Sequence, residues 1–123
     1  MKRPIVIDLP YPPRALHAHN TGHWRQKAAP TKAYRAIAKL LTRKAMGRTR
    51  RKWDRARLSI LIRFPDRRRR DILNVCHSLK PAIDGLVDAG LLLDDNWQVL
   101  SIGTIHGIVS KGCPGITLTI ERD

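Results

Sequence analysis

Apolar residues along the chain fall into short β-branched runs and longer stretches with helical spacing. The short runs predict four β-strands, which span residues 5–9, 58–64, 99–108 and 115–120. The run LSILIRF at 58–64 is almost continuously apolar, which favours a strand buried on both faces. KGCPG, between the last two runs, is typical of a turn.

Helical periodicity predicts two helices. The first covers residues 31–46, with Thr31 as its N-cap and Gly47 ending it. The second covers residues 74–89 and contains Pro81. Because proline has no N–H to donate, this residue either kinks the helix or is the first residue of a helix that starts there. The proline- and histidine-rich segment before the first helix predicts a long loop.

The order of these elements is strand, helix, strand, helix, strand, strand. It predicts an α+β fold in which a small mixed β-sheet packs against two helices. A length of 123 residues suits one domain over 1–123, and the sequence has no internal repeat.

Charge narrows the class of partner. The chain has 24 Lys and Arg against 10 Asp and Glu, which gives a net charge of +14. This balance favours a polyanionic partner such as nucleic acid, because each neutralised phosphate releases condensed counterions. No membrane partner is expected, since no stretch approaches the roughly 20 apolar residues that span a bilayer.

Two further features predict a cytoplasmic protein. The N-terminal apolar run is broken by Asp8 and then by prolines, so no signal peptide is expected. The only two cysteines, Cys76 and Cys113, do not suggest a disulfide framework and are both expected to be reduced.

The densest positive charge lies beside carboxylates in RFPDRRRRDILN, residues 63–74. Acids near a phosphate-binding surface repel the ligand unless a divalent cation lies between them, and Mg²⁺ prefers hard oxygen ligands. The pattern predicts a Mg²⁺ site, with Mn²⁺ as a possible substitute, in which arginines hold phosphates and the ion activates a water. Six of the ten acidic residues fall in this region, namely Asp66, Asp71, Asp84, Asp88, Asp94 and Asp95.

Four of these aspartates also have an ordinary structural explanation. Asp71 is placed to cap the following helix. Asp84 lies four residues after Lys80, as in an exposed ion pair on a helix. Asp94 and Asp95 are common turn residues. No pair has a spacing that requires a metal.

Geometry sets a condition on the metal hypothesis. A continuous helix over 74–89 would be about 24 Å long. Asp71 and Asp95 flank its ends. They meet only if LLLDD at 91–95 runs back towards the arginine loop, residues 65–70. A helix shortened or bent at Pro81 makes that return easier.

Several segments match a known pattern in order and spacing. The most specific is PDRRRRDILN at 65–74, similar to a core motif PDRRRRDxDN. The other matching segments are LPYPP and HN within 9–20, AYR at 33–35, KPAIDGLVDAGLLLDD at 80–95, VSKG at 109–112 and ITLTI at 116–120. Over nearly its whole length the chain resembles RusA-type Holliday-junction resolvases, small endonucleases common in phages and prophages.

The resemblance implies a Mg²⁺-dependent homodimer that nicks two opposed strands of a four-way DNA junction without a small-molecule cofactor. It implies that Asp71 and Asp95 are catalytic metal ligands, with Asp94 or Asp84 completing the set. Lys80 matches the catalytic lysine of the family.

Two departures from the family pattern affect the ligand set. Leu73 stands where the second core aspartate falls, and a leucine cannot bind a metal. Lys80 is the sixth residue after Asn74 where the pattern has its lysine third, which indicates a three-residue insertion. Either Asn74, Asp84 or Asp94 compensates, or the chain is a metal-impaired member or a non-catalytic basic DNA-binding protein such as a phage regulatory factor.

Phosphate contacts are expected from the arginine loop, from the basic connector GRTRRKWDRAR at 47–57 and from the turn KGCPG at 111–115. The residues are Arg67, Arg68, Arg69, Arg70, Arg50, Arg51, Lys52 and Lys111. For Trp24 and Trp53 the sequence leaves stacking on unpaired bases and core packing both open. Trp97 is predicted to pack in the core or an interface, with stacking on unpaired bases as the alternative. His17, His19 and His23 are predicted to be exposed loop residues, with DNA contact or a place at the site as the alternative.

Overall fold

The computed structural model describes residues 3–17, 24–48 and 51–123, with side chains from residue 26 in the second range. The elements in chain order are β1 (Ile5–Leu9), a 3-10 helix (Arg14–Leu16), α1 (Trp24–Met46), β2 (Ala56–Phe64), α2 (Ile72–His77), α3 (Lys80–Asp88), β3 (Leu100–Val109) and β4 (Gly115–Arg122). The predicted α+β class, a small mixed sheet with helices against it, is confirmed.

The sheet has the strand order β1-β4-β2-β3. Strand β4 is antiparallel to both of its neighbours, whereas β3 runs parallel to β2, with a register shift between Leu58 and Ile60. A parallel pair needs a crossover connection, and here α2 and α3 lie within it. The arginine loop and the aspartates that follow it therefore all belong to this one crossover.

One face of the sheet forms the core. Leu58, Ile60 and Ile62 of β2 lie opposite Ile120, Leu118 and Ile116 of β4, and all six side chains are buried. Apolar residues of α1 and α3 join the same buried cluster. The alternation of buried and exposed positions in these strands follows from the two-residue period of a pleated strand.

The prediction that β2 is buried on both faces is wrong. Its second face, with Ser59, Leu61 and Arg63, is only partly buried. Arg63 donates a hydrogen bond to the backbone oxygen of Cys113 at 3.0 Å and lies 3.3 Å from Asp8 Oδ1. Leu61 made the run look uniformly apolar, although the face that it shares with Ser59 and Arg63 is only partly covered.

Helices α1 and α3 cross at Gly85. A Cβ atom at this position would lie 2.6 Å from the backbone oxygen of Arg35 and 2.8 Å from the Cβ of Ala38. Only glycine lets the two backbones approach this closely. Arg35 then binds Asp88 of α3 with two hydrogen bonds, at 2.5 and 2.8 Å.

The first helix begins earlier than predicted. Pro30 suggested a break, but α1 runs through it, and Thr31 lies inside the helix rather than at its N-cap. An internal proline costs one helical hydrogen bond and about 3 kcal/mol. The packing of α1 on β1, on the 3-10 helix and on α3 offsets that cost.

The second predicted helix is divided in two. Helix α2 ends at His77, Ser78 and Leu79 form a short link, and α3 starts at Lys80 with Pro81 in its first turn. Proline is tolerated there because the first N–H groups of a helix have no helical partner. The alternative in which a new helix starts near Pro81 is therefore confirmed.

The chain doubles back after α3. Gly90 adopts a left-handed conformation, with φ of 86°, which ends the helix. The following segment forms a bridge with Trp53, whose N–H donates to Leu91 O at 2.7 Å and whose oxygen accepts from Leu93 N at 3.1 Å. This return brings Asp95 to the start of α3, as described below.

Among the residues that the structure describes, no helix combines enough length with enough apolar character to cross a membrane.

Candidate active site

The arginine loop, residues 65–70, is ordered by the aspartate near its start. Asp66 Oδ1 accepts a hydrogen bond from the Arg68 N–H at 2.9 Å and lies 2.8 Å from Arg70 Nη2. The Arg68 N–H and the Arg70 side chain together hold the pKa of Asp66 below its usual value. Arg70 also lies 5.1 Å from the centre of the Phe64 ring, so its guanidinium is fixed on both sides.

The four arginines of the loop have different exposures. Arg70 is partly buried, whereas Arg67, Arg68 and Arg69 extend into solvent. An aspartate therefore stands beside the arginines for a structural reason. Asp66 fixes the conformation of the loop from which the three exposed guanidinium groups extend.

A cleft of about 440 Å³ lies beside this loop. Its lining includes Arg68, Arg69 and Arg70, together with the carboxylate-bearing residue Asp71. Tyr11 and His17, from the segment after β1, line the same cleft. A carboxylate and several guanidinium groups thus share one concave surface, which is the combination that the sequence predicted.

Asp71 caps α2. Its Oδ1 accepts a hydrogen bond from the Leu73 N–H at 3.0 Å. The capping explanation is therefore correct, but it does not remove Asp71 from the site, because the residue is exposed and lines the cleft. Leu73 itself is 70% exposed and contributes no ligand atom.

A second polar cluster forms at the start of α3. Lys80 Nζ donates to Asp84 Oδ1 at 2.8 Å and also binds Asp95 Oδ2. The first contact is the predicted ion pair on one helix face. The second joins groups fifteen residues apart and shows that the chain has returned to α3. Lys80, Asp84 and Asp95 are thus brought together. The sequence predicted the pair of Lys80 and Asp84, whereas it placed Asp95 beside Asp71.

Proton affinities in this cluster follow from those contacts. Hydrogen bonds to Asp84 and then to Asp95 raise the pKa of Lys80 above its ordinary value. The bond from Lys80 lowers the pKa of Asp95. Lysine is therefore a cation and Asp95 an anion at neutral pH, which suits charge stabilisation and makes Lys80 a poor proton acceptor.

Asp94 is a turn residue. Its two carboxylate oxygens accept hydrogen bonds from the Asp95 N–H at 2.7 Å and from the side-chain amide of Asn96 at 3.0 Å. Both oxygens already have partners, so Asp94 fits the role of metal ligand less well than its neighbour Asp95.

The donor set was tested against the needs of Mg²⁺. Within residues 3–17, 24–48 and 51–123, no three His, Cys, Asp or Glu side chains form a ready-made metal site. Mg²⁺ needs only one or two carboxylates, with water and substrate phosphate filling the other positions. Asp84 and Asp95 converge on one cation, the Lys80 ammonium. Asp84 and Asp95 therefore offer, side by side, the hard oxygens that Mg²⁺ accepts, and Asp71 offers another such carboxylate before α2.

The two groups of polar residues flank α2. Asp71 precedes this helix and Lys80 follows it after the two-residue link. A six-residue helix is about 9 Å long. The arginine cleft and the lysine cluster are thus successive parts of one crossover.

The other residues predicted to contact DNA are on the surface, as far as they belong to the described part of the chain. Arg51, Lys52 and Lys111 are exposed. Arg50, His19, His23 and the side chain of Trp24 lie outside the described residues.

Two tryptophan predictions are now resolved. Trp53 is buried in the core beside Leu92, so it does not stack on bases. Trp97 does not pack in the core, because its side chain is 85% exposed in the turn before β3. Its packing in an interface stays a prediction.

Sequence reasoning missed the aromatic part of the cleft. Tyr11 contacts the rings of His17 and Phe64, with centroid distances of 6.0 and 6.2 Å. The prediction that His17 is exposed is wrong, because its side chain is partly buried and lines the cleft, as in the alternative that gave it a place at the site. The available signal was the pair of prolines after Tyr11, which stiffens the segment just where β1 ends.

Comparison with known proteins gives no identification. No protein-family model matches this chain, and no curated protein matches it. The resemblance to RusA-type resolvases therefore rests on the motifs quoted above.

Proposed function

We propose that this protein is a Mg²⁺-dependent endonuclease that resolves four-way DNA junctions by nicking two opposed strands. The observation that carries the proposal is the shared cleft: Asp71 lines the same concave surface as Arg68 and Arg69. A surface that only bound phosphates would gain nothing from an exposed carboxylate in its lining. A net charge of +14 supports a polyanionic substrate.

The side chains divide the work between binding and chemistry. Arg67, Arg68 and Arg69 contact backbone phosphates, because a guanidinium donates two parallel hydrogen bonds to phosphate oxygens. Lys80 stabilises the charge that develops on the scissile phosphate as it is attacked. Asp95 positions Lys80 through their direct contact. The products are expected to carry 5′-phosphate and 3′-hydroxyl ends.

Asp71, Asp84 and Asp95 are the residues that would hold the divalent ion, with Asp94 in a lesser role. When bound, Mg²⁺ supplies an activated water and neutralises the leaving oxygen. Lys80 already contacts Asp84 and Asp95, so a bound ion would have to be accommodated at these carboxylates beside its ammonium.

The homodimer is proposed to form through β3. This strand is an edge of the sheet, and its sequence LSIGTIHGIV carries no Lys, Arg, Asp or Glu. Edge strands are usually protected from pairing by such charges, and Ile102, Ile108 and Val109 are exposed here. Antiparallel pairing of two β3 strands about a two-fold axis is self-complementary. Sedimentation of Ile108→Lys should show a monomer where the wild type is a dimer.

A non-catalytic DNA-binding protein is the second candidate. Leu73, exposed in place of the expected aspartate, favours it. So does the lack of a three-residue metal cluster among the described side chains. A basic surface with arginine-rich loops would suffice for that role.

One experiment distinguishes the nuclease from the non-catalytic binding protein. The protein is incubated with a labelled four-way junction and with a duplex of the same sequence. Paired nicks in the junction that require Mg²⁺ and disappear with a chelator support the nuclease. A mobility shift of the junction without any nick, at every Mg²⁺ concentration, overturns the nuclease in favour of the binding protein.

A further inference from the structure

The arginine cleft has an aromatic wall that phosphate binding does not explain. Tyr11 meets the His17 ring nearly edge-on, at an interplanar angle of 86°, and meets the Phe64 ring at 57°. Tyr11 and His17 are both partly buried and line the cleft. Aromatic faces contribute to nucleic-acid binding only when a base is available to stack on them.

This wall is held in place before any ligand binds. The Tyr34 hydroxyl donates to Pro10 O at 2.7 Å, which fixes the chain just before Tyr11. His17 Nε2 lies 3.0 Å from Pro12 O, and Leu16 is buried in the core. A wall fixed in this way loses little conformational entropy on binding.

The shape and charge of the cleft favour a base over a phosphate in its interior. A volume of about 440 Å³ lies within the range of about 300–1,000 Å³ that is typical of small-molecule pockets. Asp66 and Asp71 also line it, and without a metal ion their carboxylates offset part of the attraction that its arginines exert on a phosphate. Burial raises the pKa of Tyr11, so its hydroxyl stays a neutral hydrogen-bond donor.

We propose that the cleft takes one unstacked nucleotide of the DNA substrate, with its base against Tyr11 and His17 and its phosphate towards Arg68 and Arg69. This inference rests on the proposed function and narrows it. The substrate class becomes DNA in which a base is unpaired or easily unstacked next to the phosphate that is cut. In a continuous duplex the bases are stacked on each other and cannot reach the aromatic wall.

The test compares binding to a four-way junction and to a matched duplex in the presence of a chelator, so that no strand is cut. Tyr11→Leu keeps an apolar side chain but removes the ring, and His17→Ala removes the second ring. Trp97→Ala is the matched control, because it removes an aromatic side chain that is 85% exposed and does not line the cleft. Thermal unfolding verifies that each variant is folded.

Tyr11→Leu is expected to weaken junction binding by roughly 5- to 150-fold, the loss that corresponds to one base–aromatic stack. Duplex binding should stay within about twofold, because phosphate contacts supply it. The control should leave both affinities unchanged. If Tyr11→Leu and His17→Ala keep the wild-type preference for the junction, or lose duplex affinity equally, the inference is overturned.

The failure of this inference differs from failure of the proposed function. If the wild-type protein cuts junctions and the variants keep the junction preference, the proposed nuclease function stands and only the nucleotide-binding role of the cleft is overturned. A wild-type protein that binds neither DNA overturns both.

Discussion

Lys80 and Asp95, fifteen residues apart, are in direct contact at the start of α3. The contact exists because Gly90 ends α3 and the segment after it pairs with Trp53, which turns the chain back. It makes a local ion pair between Lys80 and Asp84 into a three-residue cluster of one cation and two anions. The predictions below test what this cluster and the neighbouring cleft do.

Replacement of Asp71 separates its structural role from its chemical role. Asparagine caps helices about as well as aspartate does, whereas alanine loses roughly 1 kcal/mol. Asp71→Asn should therefore abolish junction cleavage and keep both junction binding and the unfolding temperature, while Asp71→Ala should lower stability as well. Gel assays of cleavage and binding, with thermal unfolding, measure all three properties.

Asp54→Asn is the matched control for this substitution, because it removes an exposed aspartate from the basic connector. It should leave cleavage unchanged. Cleavage by Asp71→Asn at the wild-type rate would contradict the role given to Asp71.

Lys80→Gln removes the ammonium between Asp84 and Asp95. We expect the rate of cleavage to fall by about 10²- to 10³-fold, the usual effect of removing one group that stabilises transition-state charge. The free energy of unfolding should change little, since Lys80 is 57% exposed and exposed ion pairs contribute only about 0.2–1 kcal/mol. Single-turnover cleavage and chemical unfolding test this, with Lys44→Gln on α1 as the control. Cleavage by Lys80→Gln at the wild-type rate would contradict the catalytic role of Lys80.

The depressed pKa of Asp95 predicts how stability depends on pH. Its folded pKa is lower than its unfolded value of 3.8, mainly because of the hydrogen bond from Lys80. The unfolded chain therefore binds the proton more tightly, and the stabilisation is present above about pH 4 and is lost as pH falls through the folded pKa. In Lys80→Gln the acid part of the curve of unfolding temperature against pH should be flatter. Identical acid curves for the two proteins would show that the contact has no effect on proton affinity.

The exposed arginines predict the salt dependence of binding. The slope of log affinity against log salt concentration changes by about 0.9 for each phosphate contact that is lost. Arg68→Gln and Arg69→Gln should each reduce the slope by about that amount, whereas Lys32→Gln on α1 should not. Fluorescence anisotropy across a salt series gives the slopes. Equal slopes in all four proteins would place the phosphate contacts elsewhere.

Gly85 predicts a packing effect that does not involve the site. An added Cβ would meet the Arg35 backbone at 2.6 Å, so Gly85→Ala must push α1 and α3 apart. Overpacking of this kind costs about 1–3 kcal/mol. Gly112→Ala is the control, because nothing lies within 4 Å of its added Cβ. An unfolding temperature equal to that of the wild type would contradict the close crossing.

The strands were predictable because two-residue alternation is set by local geometry. Ile5–Leu9 was located correctly, and the other three strands were within one or two residues of the prediction. The start of α1 was not predictable, since Pro30 is a local stop signal that tertiary packing overrides. The division at Ser78 and Leu79 was foreseen only as one of two consequences of Pro81.

The candidate site was predictable to the extent that it is local in sequence. Asp66 with the arginines, and Lys80 with Asp84, follow from short spacings. The return of the chain after α3 was expected only as a condition of the metal hypothesis, and the contact between Lys80 and Asp95 that it produces was not predicted. The aromatic wall at Tyr11 and His17 could not be derived, because it depends on how the segment after β1 packs beside a loop some fifty residues later.

The central claim is that acidic groups beside the arginine loop hold a divalent ion against DNA. Anomalous X-ray scattering from crystals grown with Mn²⁺ tests it most directly, because the ion is located independently of any assay. The account predicts an ion bound to the carboxylate of Asp71, or to those of Asp84 and Asp95, at about 2.0–2.2 Å. An ion found only at other side chains, or no ion at a saturating Mn²⁺ concentration, would contradict it.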